Sequence, residues 1–235
     1  PTGKEMNVTK IEATVKQYGD FIELSDLLIL TAIDNNIVEA TTLIGSQAGR
    51  TLDTISREVL AAGTNVQYAE GQVTSRAALT PEMKLTVKAV KKAVRFLKKQ
   101  NAKKINGYYY GIVHPDCSYD LTEDARWIDA VKYKNPERIY NGEIGEIEGA
   151  RFVETTEAKI WAKAGAAKST SDTTKIDVYG TLIFGANAYA TTKIEGGGLK
   201  TIIKQLGSAG TGDPLDQRAT VGWKALKVTE ILTEA

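Results

Sequence analysis

The chain is short of the residues from which sites are most often built. Its 235 residues include one cysteine, Cys117, and one histidine, His114. A lone cysteine excludes an intrachain disulfide. The pair together excludes a zinc site of the usual Cys/His kind within one chain. Any Ser-His or Cys-His nucleophile pair would have to use His114. Long apolar runs are missing as well. The longest, near Leu27–Leu30, is far too short to span a bilayer, and no signal-peptide pattern is present. Nor is there an excess of either charge: 30 basic residues face 29 acidic ones. That balance argues against a dedicated nucleic-acid binder and leaves little like-charge repulsion between copies. The chain begins at Pro1 without an initiator methionine, which reads as a trimmed or processed piece of something longer.

What is present is globular. Hydrophobic residues make up 42% and charged residues 25%, with enough length for one large domain or two smaller ones. Lys10–Leu24 predicts a long strand, with Ile11, Ala13 and Val15 alternating against polar neighbours and a bulge expected at Gly19, where the phase shifts to Tyr18, Ile22 and Leu24. Ser25 suits the cap of a helix carrying Leu30, Ile33, Ile37, Ala40 and Ile44, interrupted at Gly45. A second helix is expected over 46–62, with Gly63 as its stop. Thr80-Pro81-Glu82 predicts the start of the clearest helix. Met83, Val87, Val90, Val94 and Leu97 share one arc of it, and Lys84, Lys88, Lys91, Lys92, Arg95, Lys98 and Lys99 share the other. Tyr108–Val113 and Asp177–Gly185 are buried-strand candidates, Ala164–Lys175 a mobile loop, and Ala219–Val228 an alternating strand. The sum is mixed α+β with an extended arm in front. Such an arm is not stable alone in water, so a neighbouring copy is the natural cover.

Three clusters invite a chemical reading. His114-Pro115-Asp116-Cys117 looks reactive, because a thiol at a helix start can have a lowered pKa. The plainer account is a strand end, a Pro-started helix, Asp116 as cap and Cys117 as a small apolar filler. The lysine face of the 82–100 helix could touch phosphates, or be a solvated face. Tyr108, Tyr109 and Tyr110 could stack on bases, or alternate across a strand. A fourth cluster, Gly196-Gly197-Gly198 before Lys200, is neither a Walker loop nor a full dinucleotide fingerprint. A glycine-to-helix anion site there is conceivable, and Ile202 and Ile203 make a strand at least as compatible. It supports the rival reading of a phosphate- or nucleotide-binding enzyme.

Longer stretches carry a resemblance. "KIEATVKQYGDFIELSDLL", "TLDTISREVLAAGTNVQYA", "GYYYGIVHPDCSYDL", "NGEIGEIEGARFVETTEAKI" and "EGGGLKTIIKQLGSAGTGDPLDQRATVGWKALKVTEIL" together resemble the major capsid proteins of tailed bacteriophages, in the subgroup typified by phage N-four. The resemblance implies an α+β, Hong Kong 97-like capsid fold with an extended hairpin loop, a spine helix, and peripheral and axial domains. It implies that residues 1–24 are the return strand of the extended loop. Residues 25–63 and 194–235 would form the peripheral domain, with its spine helix over 46–62, and residues 64–193 the axial domain. It further implies a non-enzymatic structural subunit of the virion, with no cofactor. Its partners would be copies of itself in hexamers and pentamers, scaffolding, decoration and portal proteins, and packaged double-stranded DNA held by non-specific contact, with no membrane partner. Thr2, Gly3, Lys4, Ile11, Val15, Asp213, Asp216 and Arg218 are the candidate intersubunit residues. Some members of the wider fold crosslink through a Lys, an Asn and a Glu. Gly207–Arg218 contains no Asn, so crosslinking is not expected here.

Overall fold

A computed structural model of the chain describes residues 10–31, 35–69, 73–128, 145–169, 171–192 and 194–234. It divides into two compact units, Pro1–Ser56 with Ala190–Glu230 and Arg57–Tyr189 with Ile231–Ala235. Each unit has its own hydrophobic core.

The first unit is a three-stranded antiparallel sheet covered by helix. Its strands are β1 (Lys16–Ser25), β9 (Lys200–Lys204) and β10 (Arg218–Lys227), in the order β1-β10-β9. β10 is central, and its alternating Ala219, Val221, Trp223 and Ala225 are all buried, as the period of two demands. On β1 the matching inward residues are Tyr18, Ile22 and Leu24. The helices are α1 (Asp26–Thr31) and α2 (Asn36–Ala61). Ser25 Oγ accepts the Leu28 N–H at 3.2 Å at the start of α1. Ala40, Ile44 and Ala48 recur every four residues along α2 and close over the sheet, which is the stripe a helix buries on one side.

Several expectations change here. The strand does not extend back to Lys10, because pairing stops at Lys16–Lys227, and Lys10–Val15 meets no partner strand among the described residues. Gly19 is not a bulge, since the β1–β10 register runs unbroken from Lys16 to Ser25. A Cβ at position 19 would lie 2.6 Å from the Trp223 carbonyl oxygen, so glycine lets two backbones approach. Gly45 does not interrupt the helix: α2 runs through it, and the penalty of about 1 kcal/mol for an interior glycine is outweighed by the burial of Ala40, Ile44 and Ala48 along the same helix.

The second unit is built on a mixed four-stranded sheet. β2 (Tyr109–Val113), β3 (Glu146–Ile147), β4 (Ala150–Glu154) and β7 (Leu182–Phe184) lie in the order β3-β4-β2-β7. β2 and β4 are parallel, while β7 and β3 are antiparallel to their neighbours. Helix α3 (Val87–Lys99) buries Val87, Val90, Val94 and Leu97, and α4 (Pro115–Glu123) contributes Leu121 to the same core. Helix α3 does not start at Thr80. Thr80–Met83 closes a turn, with the Met83 N–H donating to the Thr80 carbonyl. The helix is capped instead by Thr86, whose side chain accepts the Ala89 N–H. The two-stranded pair of β5 (Ile160–Trp161) with β6 (Val178–Tyr179) completes this unit; β8 (Tyr189–Thr191) pairs with β11 (Thr229–Ile231), most of whose residues belong to the first unit. The expected single strand Asp177–Gly185 is therefore two, β6 and β7, in different sheets. The expected mobile loop Ala164–Lys175 is tied at its base, since the Gly165 N–H donates to the Ile176 carbonyl and the Ile176 N–H to Ala166. Asn135–Ala150 also reads as turn-rich in sequence; residues 135–144 fall outside the described residues, and the remainder forms β3, a turn and the start of β4.

Candidate assembly surface

Three of the chemistry-bearing clusters, the tyrosines, the His114–Cys117 turn and the glycine stretch, serve structure. At the start of β2 the tyrosines alternate: Tyr109 is buried and its hydroxyl donates to the Ala102 carbonyl at 3.0 Å, while Tyr108, just before the strand, and Tyr110 are half-buried. At the start of α4 the cap is His114, not Asp116 as expected. Its Nδ1 accepts the Asp116 N–H at 3.2 Å. The imidazole sits at the last extended position before the helix, where a side-chain acceptor reaches the first free N–H groups. Its ring leans on Tyr179, with centroids 4.8 Å apart, and the Asp116 carboxylate pushes the Tyr179 phenol up to about 12. Burial pushes the Cys117 thiol up to about 12, with Asp120 and Asp116 adding to it. A thiol so far above neutrality is not a nucleophile at pH 7.

The glycine stretch is a turn. Gly196 has φ +74°, Gly197 N–H donates to the Ile194 carbonyl, and the Leu226 N–H donates to the Gly197 carbonyl. The turn leads into the strand β9, not into a helix. The anion site that the rival enzyme reading needed at a helix N-terminus is therefore not formed at these residues.

Of the candidate intersubunit residues, Thr2, Gly3 and Lys4 lie outside the described residues. Ile11 and Val15 are exposed. Asp213, Asp216 and Arg218 are brought together where the loop after β9 returns into β10. Asp213 is only 5% exposed, and its Oδ2 accepts the Arg218 N–H at 2.8 Å. Asp216 holds a left-handed backbone at φ 51°. The Arg218 guanidinium reaches Glu23 on β1 at 3.8 Å. Two features were not anticipated from sequence. One is the exposed apolar side of α1, where Leu27 and Leu30 are 67% and 79% exposed. The other is a charged cluster at the end of α2 in the second unit. There Glu58 lies between Lys159 at 2.5 Å and Arg57 at 2.7 Å, and Lys159 above all holds its carboxyl below the usual range. The signal for the first lay in the run Leu27–Leu30. The second joins residues a hundred positions apart and left no local trace.

No helix among the described residues is long and apolar enough to cross a membrane. Extended strands, a long helix over a sheet and an exposed apolar surface suit a protein whose chemistry is contact. The model of one family, described as phage capsid protein, matches residues 35–206. The chain belongs to the phage capsid protein family. It is a structural subunit of the phage head, not an enzyme, and its place is the virion. Sixty-six chains of solved structures match it. The capsid protein of Ralstonia phage GP4 is similar at TM-score 0.66 and 11% identity, over 93% of this chain and 69% of that one. The capsid protein of cyanophage P-SCSP1u is similar at 0.64 and 12%, over 99% and 77%. An encapsulin of Synechococcus elongatus is similar at 0.52 and 9%, over 93% and 70%. At these identities the likeness is one of fold, a mixed α+β, Hong Kong 97-like capsid fold. No curated protein matches the chain in sequence.

Proposed function

We propose that this capsid protein assembles through hexamers and pentamers into an icosahedral shell around double-stranded DNA, as a member of the N-four-like subgroup. The first unit acts as the peripheral domain, with α2 as its spine and residues before Ser25 as the return strand of an extended loop. The second acts as the axial domain. The observation that carries this is the apolar surface of the first unit. Phe21 on β1, Leu27 and Leu30 on α1, and Val38 and Leu43 on α2 are all exposed, and apolar side chains left uncovered on more than one side of a unit suit a subunit that meets several neighbours. Ile11 and Val15 are also exposed, in a segment that no described strand pairs with. Closed symmetry repeats each such contact many times, so modest interfaces sum to a stable shell. Scaffolding, decoration and portal proteins are further partners of this assembly.

Asp216 and Arg218 serve the contact directly, together with Thr2, Gly3 and Lys4 on the arm. Asp213 serves it by holding the loop in shape. Full-length protein, expressed with any scaffolding partner, should give closed shells in electron micrographs. Only small soluble species would refute the proposal. Asp216→Lys and Arg218→Glu should abolish shells while leaving the circular dichroism of the subunit unchanged. If they unfold the subunit instead, the loop is internal scaffolding and not an interface.

A further inference from the structure

The chain as a whole is nearly neutral, yet α3 is not. Its sequence, VKAVKKAVRFLKK, carries Lys88, Lys91, Lys92, Arg95, Lys98 and Lys99 and no acidic residue. Val87, Val90, Val94 and Leu97 fix which side is buried, so the cations fall on the outer side. Spacings of four, three and four place Lys88, Lys92, Arg95 and Lys99 within about 60° of arc, along a ridge of about 16 Å. Lys88, Arg95 and Lys99 are exposed. Lys91 flanks the ridge and pairs with Glu148 at 3.0 Å. Like charges three and four residues apart on a helix repel. The pair 95/99 carries that penalty, although an acidic residue in the row would relieve it.

We propose that this ridge of α3 binds the phosphate backbone of nucleic acid without reading its sequence. The inference deepens the capsid proposal and rests on it for the identity of the partner, the packaged duplex. A duplex presents one phosphate per about 3.4 Å of axis on each strand, so a ridge of about 16 Å faces about five phosphates of one strand with four cations. Base edges are read by bidentate side chains in a groove, Arg or Lys at guanine and Asn or Gln at adenine. Helix α3 has no Asn or Gln, and its cations stand in an evenly spaced row, an arrangement suited to tracking a phosphate backbone. Its exposed Phe96 lies off to one flank, away from the line of cations. Near-neutrality of the whole chain fits this use, because a local ridge grips the polymer while the remaining surface does not compete for it.

The test is the affinity of the full chain for a generic DNA duplex, followed by fluorescence anisotropy against salt. Four contacts predict a slope of about −3.6 in log K against log salt, a loss of about a hundredfold between 50 and 200 mM. The triple variant Lys88→Gln, Arg95→Gln, Lys99→Gln should bring the slope to about −0.9 and lower affinity at least tenfold at 50 mM. Lys88→Arg with Lys99→Arg should bind as the parent does. Single-stranded DNA should bind the same ridge with a shallower slope. Unchanged binding in the triple variant overturns the inference. So does an equal loss in Lys200→Gln, Lys204→Gln, Lys224→Gln, which would make the attraction diffuse. Polyglutamate binding as tightly as DNA would assign the ridge to an acidic protein and likewise overturn it. Shell formation is scored separately by microscopy. Shells that form without ridge-dependent binding sink this inference alone, whereas ridge-dependent binding without shells sinks the capsid proposal alone.

Discussion

Trp223 anchors the first unit, and its indole N–H is the group most easily stranded. The side chain is 4% exposed, and Nε1 donates to Gln47 Oε1 on α2 at 2.6 Å. The Gln47 amide in turn donates to Asp20 Oδ2 on β1 at 2.9 Å. One glutamine thus ties the helix to both the central and an edge strand. Gln47→Met keeps the length and the packing and removes the acceptor, so a buried donor loses its partner. Leaving such a group unsatisfied costs about 1–3 kcal/mol. The Asp20 contact is exposed and adds little, since its carboxylate turns to water. With an m-value of about 1.5 kcal/mol/M for a unit of this size, the urea midpoint of that unit should fall by about 1 M. Trp223→Phe removes the donor instead. In that background Gln47→Met should cost no more than about 0.5 kcal/mol, giving a coupling near 1 kcal/mol or above. Urea unfolding followed by circular dichroism supplies all four corners of the cycle. An equal cost of Gln47→Met in both backgrounds would show that the bond does not hold the helix to the sheet.

Two other outcomes are expected of the same structure. Gly19→Ala places a Cβ against the Trp223 carbonyl oxygen 2.6 Å away. Backbone must move, at a cost of about 1–3 kcal/mol, and limited proteolysis should then release the segment before Ser25 faster than in the parent. Cys117, with its thiol pushed up to about 12 by burial, should resist iodoacetamide at pH 8 in the folded chain and react fully in urea. Because its folded value is raised, the neutral thiol contributes stability that is complete below the unfolded value of about 8.5 and is lost as pH rises toward 12. Cys117→Ser should flatten the alkaline limb of a stability–pH curve, and an unchanged limb would refute the assignment.

Much of the local structure was legible because its cause is local. The alternation of Ala219, Val221, Trp223 and Ala225 marks a strand buried on one face, whatever lies opposite. The outer row of cations on α3 is equally plain, since four valine and leucine positions define the inner side. The lone histidine and lone cysteine already spoke against catalysis. Boundaries were less legible. Thr80-Pro81 is as good a helix start as Thr86 by residue type, and the start at Thr86 is held by contacts across the chain, with the Val87 N–H donating to Asp124 Oδ2 at 2.9 Å. Gly45 looked like a stop because propensity is a weak term that packing overrides. His114 took the capping role from Asp116 because the cap is set by where the strand ends, two positions earlier than the preferred residue type suggested.

Sequence by itself determined the α+β class, the two apolar periodicities and the exclusion of an intrachain disulfide and of a zinc site of the usual Cys/His kind, since each depends on residue type and spacing along the chain. Tertiary structure decided the rest. Whether Gly196–Gly198 opened a helix or a strand depended on β10, whose free edge offered β9 its hydrogen bonds. Whether Asp213 faced a neighbour or its own loop depended on Arg218 returning to within 2.8 Å. The exposed side of α1 became a surface only once the sheet had used up the apolar positions it could cover. These are questions of which groups meet across space. Spacing along the chain limits the candidates for such meetings, and the competition among all of them for the same buried volume selects one.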